Sequence, residues 1–182
     1  MYPYLIHHRD FSIQFAETDE QRQSALRIRF EVMTKELGRL QYANLGKETY
    51  SDPLDLGASH IILAEQFGVP AGTLRFTLRG ESPFLDEDER LFKVFLDEHG
   101  VSQCAIADRG AILKTFRSAS LYPAMWSFGF EFARSNGVRF VLGVIDAKNA
   151  WLNSFHESQG WTVLNEPVAQ DNSTWNLIVK EL

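Results

Sequence analysis

Arg117-Ser118-Ala119-Ser120-Leu121-Tyr122-Pro123 is the stretch whose residue types and spacing could do chemistry. It follows an apolar run, Ala105 to Leu113, and leads into Leu121, Met125, Phe128 and Phe132, whose four-three-four spacing marks one face of a helix. Proline is tolerated in a helix only in the first turn, so Pro123 places the helix start there, with Ser120 as N-cap. The amides of Ser118 to Tyr122 then face the space beyond a strand, beside Arg117. Amides, helix dipole and guanidinium at one point favour a phosphate. On these residues alone, a capped connection that binds nothing is an equal alternative.

The elements that would position this turn are legible along the chain. At 182 residues, with 45% hydrophobic and 23% charged residues, the chain has the composition of one soluble globular domain spanning residues 1–182. A net charge of −6 argues against a dedicated nucleic-acid binder. One cysteine, Cys104, excludes an internal disulfide and a cysteine-based metal cluster; no metal is expected, and the thiol lies in an apolar strand. No run is long enough for a membrane span and the N-terminus lacks a leader pattern, so a cytoplasmic location is expected.

Phe11 to Phe15 alternates as a strand. A helix capped by Thr18 or Asp19 carries Leu26, Phe30, Met33 and Leu37 and closes at Gly38, with Arg29 at the margin of its apolar stripe; a snorkelling stem with a wet head is the plain alternative to a site role for Arg29. Residues 39–57 show no period and make a loop longer than a connector needs. Ser59 to Glu65 and Gly72 to Leu78 form an antiparallel pair. One helix is expected from Ser82-Pro83 to Gly100, then strand, helix, strand and helix from Ala105 to Gly160. The segments 161–164 and 174–179 close the chain as an antiparallel pair. This order is α/β with a mixed central sheet flanked by helices.

Arg117-Ser-Ala-Ser120-Leu-Tyr122 resembles the Arg/Gln-x-x-Gly-x-Gly/Ala turn of Gcn5-related N-acyltransferases, with Ser120 and Tyr122 at the glycine positions. Asn149 to Trp161, with His156-Glu-Ser-Gln-Gly160-Trp161, is similar to their Asn…Tyr-Glu-x-x-Gly-Phe segment. The order of elements agrees over nearly the whole chain. Arg29, Asp52, Asp55, Arg75 and Arg109 further match the ordered pattern of the autoinducer-synthase branch and its relatives, the N-acyl amino acid synthases. Met33, Tyr50, Ile106 and Arg39 replace residues tied to S-adenosylmethionine use, which turns the expectation from homoserine lactones to amide formation on an amino acid or similar amine.

The resemblance implies a donor thioester of phosphopantetheine, as acyl-CoA or acyl-carrier protein (ACP). It would be held by Ile112, Lys114, Arg117, Ser118, Ala119, Ser120, Leu121, Tyr122 and Asn149. It implies acceptor contacts from Arg29, Arg75 and Arg109, and catalytic roles for Asp52, Asp55 and His156. Paired carboxylates can hold an ammonium and arginines a carboxylate; an internal Arg–Asp network that merely orders the long loop is the equal alternative. His156 stands where the superfamily often places a proton-donating Tyr; an exposed helix histidine is its plain alternative. Lys114, Arg117, Arg134, Arg139 and Lys148 would offer a carrier protein a basic patch, and some of Trp126, Phe128, Phe130, Phe132, Trp151 and Phe155 could line an acyl tunnel. A small-acyl acetyltransferase and a non-catalytic acyl-thioester-binding module are the competing functions.

Overall fold

The computed structural model describes residues 5–7, 11–57, 59–117, 120–164, 167–170 and 173–182. Ser118 and Ala119 of the proposed phosphate turn, and Ala58, lie outside them. Two compact units emerge, Met1–Thr77 with Arg109–Phe132, and Leu78–Asp108 with Ala133–Leu182.

In the first unit, β1 (Leu5–His7) pairs antiparallel with β2 (Phe11–Phe15), β2 with β5 (His60–Gln66), and β5 with β6 (Val69–Leu78). The Leu113 N–H donates to the Ala71 carbonyl at 2.9 Å, holding the end of β7 (Cys104–Ile112) beside β6. Helix α1 (Asp19–Arg29) opens on a capping box. Thr18 accepts from the Gln21 N–H at 3.2 Å, and the Gln21 side chain accepts from the Thr18 N–H at 3.0 Å. Thr18, not Asp19, is therefore the cap.

The helix does not run regularly to Gly38. Phe30–Glu36 winds as a π-helix, with the Leu37 N–H reaching the Val32 carbonyl at 3.0 Å, before Gly38 ends it at φ 68. The wider turn keeps Phe30, Val32 and Met33 in one buried cluster with Ile61, Leu63 and Ala111. Residues 39–57 are also more ordered than their lack of period suggests. They contain a short hairpin, β3 (Ala43–Asn44) with β4 (Thr49–Tyr50), and a 3₁₀ turn at Pro53–Leu56. Such short elements leave no periodic signal.

Helix α4 (Leu121–Ser135) begins where Pro123 requires: the Ser120 carbonyl accepts from the Ala124 N–H at 3.2 Å, which puts Ser120 at the cap position. Leu121, Met125, Phe128 and Phe132 are buried, and so are Trp126 and Phe130, which meet the Phe76 ring edge-on. The aromatic side chains of α4 are core. Gly129 makes this packing possible, because a Cβ there would lie 2.1 Å from Phe76 Cε2.

In the second unit, residues 86–99 form two helices instead of one, α2 (Asp86–Leu91) and α3 (Lys93–His99), broken where Phe92 adopts ψ 7 to bury its ring. The first half of β7 pairs parallel with β8 (Phe140–Asp146), and β8 pairs antiparallel with β11 (Ser173–Glu181). Strand β11 also carries β9 (Thr162–Val163), the pairing expected of the closing segments, and β10 (Val168–Gln170). Helix α5 (Ala150–Ser158) follows β8. The core joins Phe84, Phe92, Leu96, Cys104, Ile106, Phe140, Leu142 and Leu177. Burial pushes the Cys104 thiol up to about 11, leaving it protonated at neutral pH. The sheet is thus mixed, as the order of elements predicts. Among the described residues no helix is long and apolar enough to cross a membrane.

Replacing Gly129 by Ala should destabilise the fold by about 1–3 kcal/mol through overpacking against Phe76. Urea unfolding checks this, and a midpoint equal to wild type would show that the ring and helix separate freely.

Candidate functional site

Two chemical clusters lie in the first unit. The first is a buried ion network assembled by α1, the 3₁₀ turn, β6 and β7. Asp52 caps the turn, accepting from the Leu54 N–H at 3.0 Å, while Asp55 reaches back to the Asp52 N–H at 3.0 Å. Pro53 at the first position stiffens this box. Arg75 Nη1 then donates to Asp52 Oδ1 at 2.5 Å and Asp55 Oδ1 at 3.1 Å, and Arg29 Nη1 donates to Asp55 Oδ1 at 2.7 Å. Arg109 contributes Nε and Nη2, each 2.8 Å from Asp52 Oδ2.

Burial separates these residues by role. The side chains of Arg29 and Arg75 are 0% exposed, so Arg29 does not have the wet head of a snorkelling side chain. Burial alone would raise the Asp52 carboxyl, but the hydrogen bond and charge of Arg75, with those of Arg109, outweigh it and hold the pKa at about 2. A carboxylate that weakly basic is a poor proton acceptor at neutral pH. Asp52 and Asp55 thus pair with the arginines and tie the long loop to them.

Arg109 differs from the other two arginines. Its side chain is 17% exposed, and its backbone sits at φ 53 within β7, a region that costs a non-glycine residue about 1–2 kcal/mol. The guanidinium lies 4.9 Å from the Tyr42 ring centroid and 5.8 Å from that of Tyr50. Tyr42 does not stand out in the sequence, and Tyr50 does so only as a replacement in the family pattern, because the hairpin region that presents them has no periodic signal.

The second cluster is the turn after β7. Arg117 Nε donates to the Ile112 carbonyl at 3.1 Å, and Nη2 pairs with Glu36 at the end of the π-helical segment. Lys114 is exposed in a short 3₁₀ turn, Leu121 is fully buried, and Ser120 stands at the cap of α4. Burial pushes the Tyr122 hydroxyl up to about 12, so it stays protonated. Glu36, too, carries no sequence signal of its role, being one charge at a helix end 81 positions from its partner.

In the second unit, His156 is 1% exposed, which removes the exposed-histidine alternative. Its Nδ1 lies 2.8 Å from the Leu152 carbonyl and its ring meets Trp161 edge-on. Burial lowers its pKa, partly offset by the Leu152 bond. In a neutral imidazole whose Nδ1–H donates to a carbonyl, Nε2 is the proton-accepting nitrogen. Asn149 is an exposed N-cap, accepting from the Leu152 N–H at 3.0 Å. Asn153 donates to the Asp146 carbonyl at 2.9 Å and accepts from Asn176 at 2.7 Å, fastening α5 to β8 and β11.

No protein-family model matches the chain, and no curated protein does. Its backbone does resemble solved structures. FeeM, an N-acyl amino acid synthase from uncultured soil microbes, superposes with a TM-score of 0.73 at 14% identity, over 94% of this chain and 90% of that one. The AHL synthase LasI gives 0.70 at 16%, over 94% and 89%. An acyl-CoA N-acyltransferase from Pseudomonas aeruginosa gives 0.66 at 17%, over 94% and 98%. At these identities the likeness speaks to architecture: the chain has the Gcn5-related N-acyltransferase fold.

Replacing Asp52 by Asn leaves Arg75 and Arg109 short of a charge partner and should cost about 3–5 kcal/mol, the range for breaking a buried pair. An unfolding midpoint equal to wild type would remove the anchor role. Because the folded pKa lies below the ordinary carboxyl value of 3.8, the Asp52 contribution, roughly 2 kcal/mol, is present above pH 3.8 and lost as pH falls toward 2; the variant should lack that share of acid sensitivity. For His156 the folded pKa lies below 6.5, so below that pH the unfolded chain takes up a proton that the folded chain refuses, and stability falls. The His156→Gln variant should lose less thermal midpoint than wild type between about pH 6.5 and 5, and parallel curves would show that His156 protonates in the folded protein.

Proposed function

We propose that this chain, with its Gcn5-related N-acyltransferase fold, moves an acyl group from a phosphopantetheine thioester, acyl-CoA or acyl-carrier protein, to the amine of a small acceptor such as an amino acid. The observation that carries the reading is the near-complete overlap with an N-acyl amino acid synthase and an acyl-CoA N-acyltransferase, whose named activities share this transfer. The turn after β7 supports it. Arg117, pinned to the strand-end carbonyl of Ile112, stands close in sequence to the Ser120-capped start of α4, and a phosphate suits both.

In this reading the acceptor nitrogen attacks the thioester carbonyl. The N–C bond forms, the C–S bond breaks, the nitrogen gives up a proton and the departing sulfur takes one. Charge developing on the carbonyl oxygen calls for a backbone N–H near the end of β7. The Leu113 N–H is bonded to Ala71, so this reading takes the N–H groups of its neighbours Ile112 and Lys114 as the candidates. Arg109, partly exposed and held by Asp52 and the tyrosines, is the arginine suited to an acceptor carboxylate. Arg29 and Arg75 support it from behind.

The test is direct. Purified protein is offered acetyl-CoA or a long-chain acyl-CoA with a pool of amino acids, and thiol release and amide mass are followed. Long-chain amide formation is the expected result; acetyl transfer alone would replace the fatty-acyl donor with a small one, and thioester binding without turnover would make the chain a binding module. Arg117→Ala should weaken coenzyme A binding by about 1.5–3 kcal/mol, the range for a hydrogen bond to a charged group. Unchanged affinity in calorimetry on the folded variant would move the donor site elsewhere.

A further inference from the structure

Arg117 already carries an anion. Its Nη2 pairs with the Glu36 carboxylate while its Nε is fixed on the Ile112 carbonyl, so the Nη2 edge that would meet a phosphate is turned toward Glu36. Neighbouring acidic groups are used differently. Glu31 and Glu48 both pair with Lys35, at 2.7 and 3.4 Å, whereas the bonding of the Glu36 side chain among the described residues goes to Arg117. The direction of Glu36 follows from the π-helical winding of Phe30–Glu36, because each π-helical residue advances less around the axis than an α-helical one.

We infer that Glu36 is an affinity-determining residue of the donor site, its carboxylate holding on Arg117 the place that a donor phosphate takes. The inference rests on the reading of Arg117 as the phosphate contact. With 45% and 32% of the two side chains exposed, the pair is a surface ion pair of small worth, which a charge-assisted phosphate contact can displace. Glu36 therefore does not close the site; it subtracts from donor affinity, through competition for one guanidinium edge and through repulsion of the incoming charge.

The experiment measures coenzyme A binding by calorimetry at low and moderate salt for wild type, Glu36→Gln, Arg117→Ala and the double variant. Glu36→Gln should bind about 3–10-fold more tightly than wild type, with a steeper salt dependence because the site gains net positive charge. The gain should vanish in the Arg117→Ala background, which a general effect on folding would not produce. Glu36→Ala serves as a second variant and should show the same gain. Equal or weaker binding by both Glu36 variants, with Arg117→Ala still weakened, overturns this inference alone and makes Glu36 a support for Arg117. Wild-type affinity in Arg117→Ala overturns the donor-site reading, and this inference with it.

Discussion

The burial of Arg75 is the constraint on which most of the first unit depends. A guanidinium on a central strand with no solvent contact is costly unless carboxylates surround it. Here two do, and both come from the same 3₁₀ turn, so that turn must sit against β6 and the chain from the π-helical segment to β5 must follow. Arg29 completes Asp55 from α1, and Arg109 completes Asp52 from β7. A buried ion network of this kind is not by itself a source of net stability, since desolvation consumes much of the Coulomb gain. Its effect is specificity of arrangement: any other placement of the turn would strand a charge in the core.

That constraint divides the charged residues into those that build and those that are able to react. Arg29, Arg75, Asp52 and Asp55 pair with one another and their side chains are closed to solvent. Arg109 stands at the edge of the network, with one side of its guanidinium held by Asp52 and its face near two tyrosine rings. Its left-handed backbone is the local strain that this placement requires. Rigid support behind one partly exposed cation is how a site holds a group in place without spending ligand affinity on ordering it.

The turn after β7 is organised differently. Arg117 is anchored there on a strand-end carbonyl and paired with an exposed carboxylate, an ion pair that burial does not lock. The bonding of Arg117 therefore rests on surface electrostatics, sensitive to salt and to single charges, while that of Arg109 rests on a desolvated network that salt hardly screens. His156 belongs to neither kind: in the second unit it is a core imidazole, packed against Trp161 and bonded to its own helix.

What the sequence determined by itself was whatever is encoded in short-range period and steric prohibition. Pro123 placed the start of α4, the capping residues placed the start of α1, alternation marked β2, and apolar runs bounded by turn residues marked β5, β6 and β7. Resemblance in the order of motifs carried the fold. Tertiary structure decided the rest, because the deciding quantities are not local. Whether Asp52 meets a substrate or Arg75 depends on desolvation shared by residues 23 positions apart. Whether Arg117 is preceded at its own site by Glu36 depends on a π-helical winding that has no period of its own in so short a segment. Whether His156 is exposed or buried depended on which face of a nine-residue helix met β8 and β11. Charge and hydrogen-bonding partners in a folded chain are chosen by three-dimensional enclosure, and spacing along the chain does not carry that information.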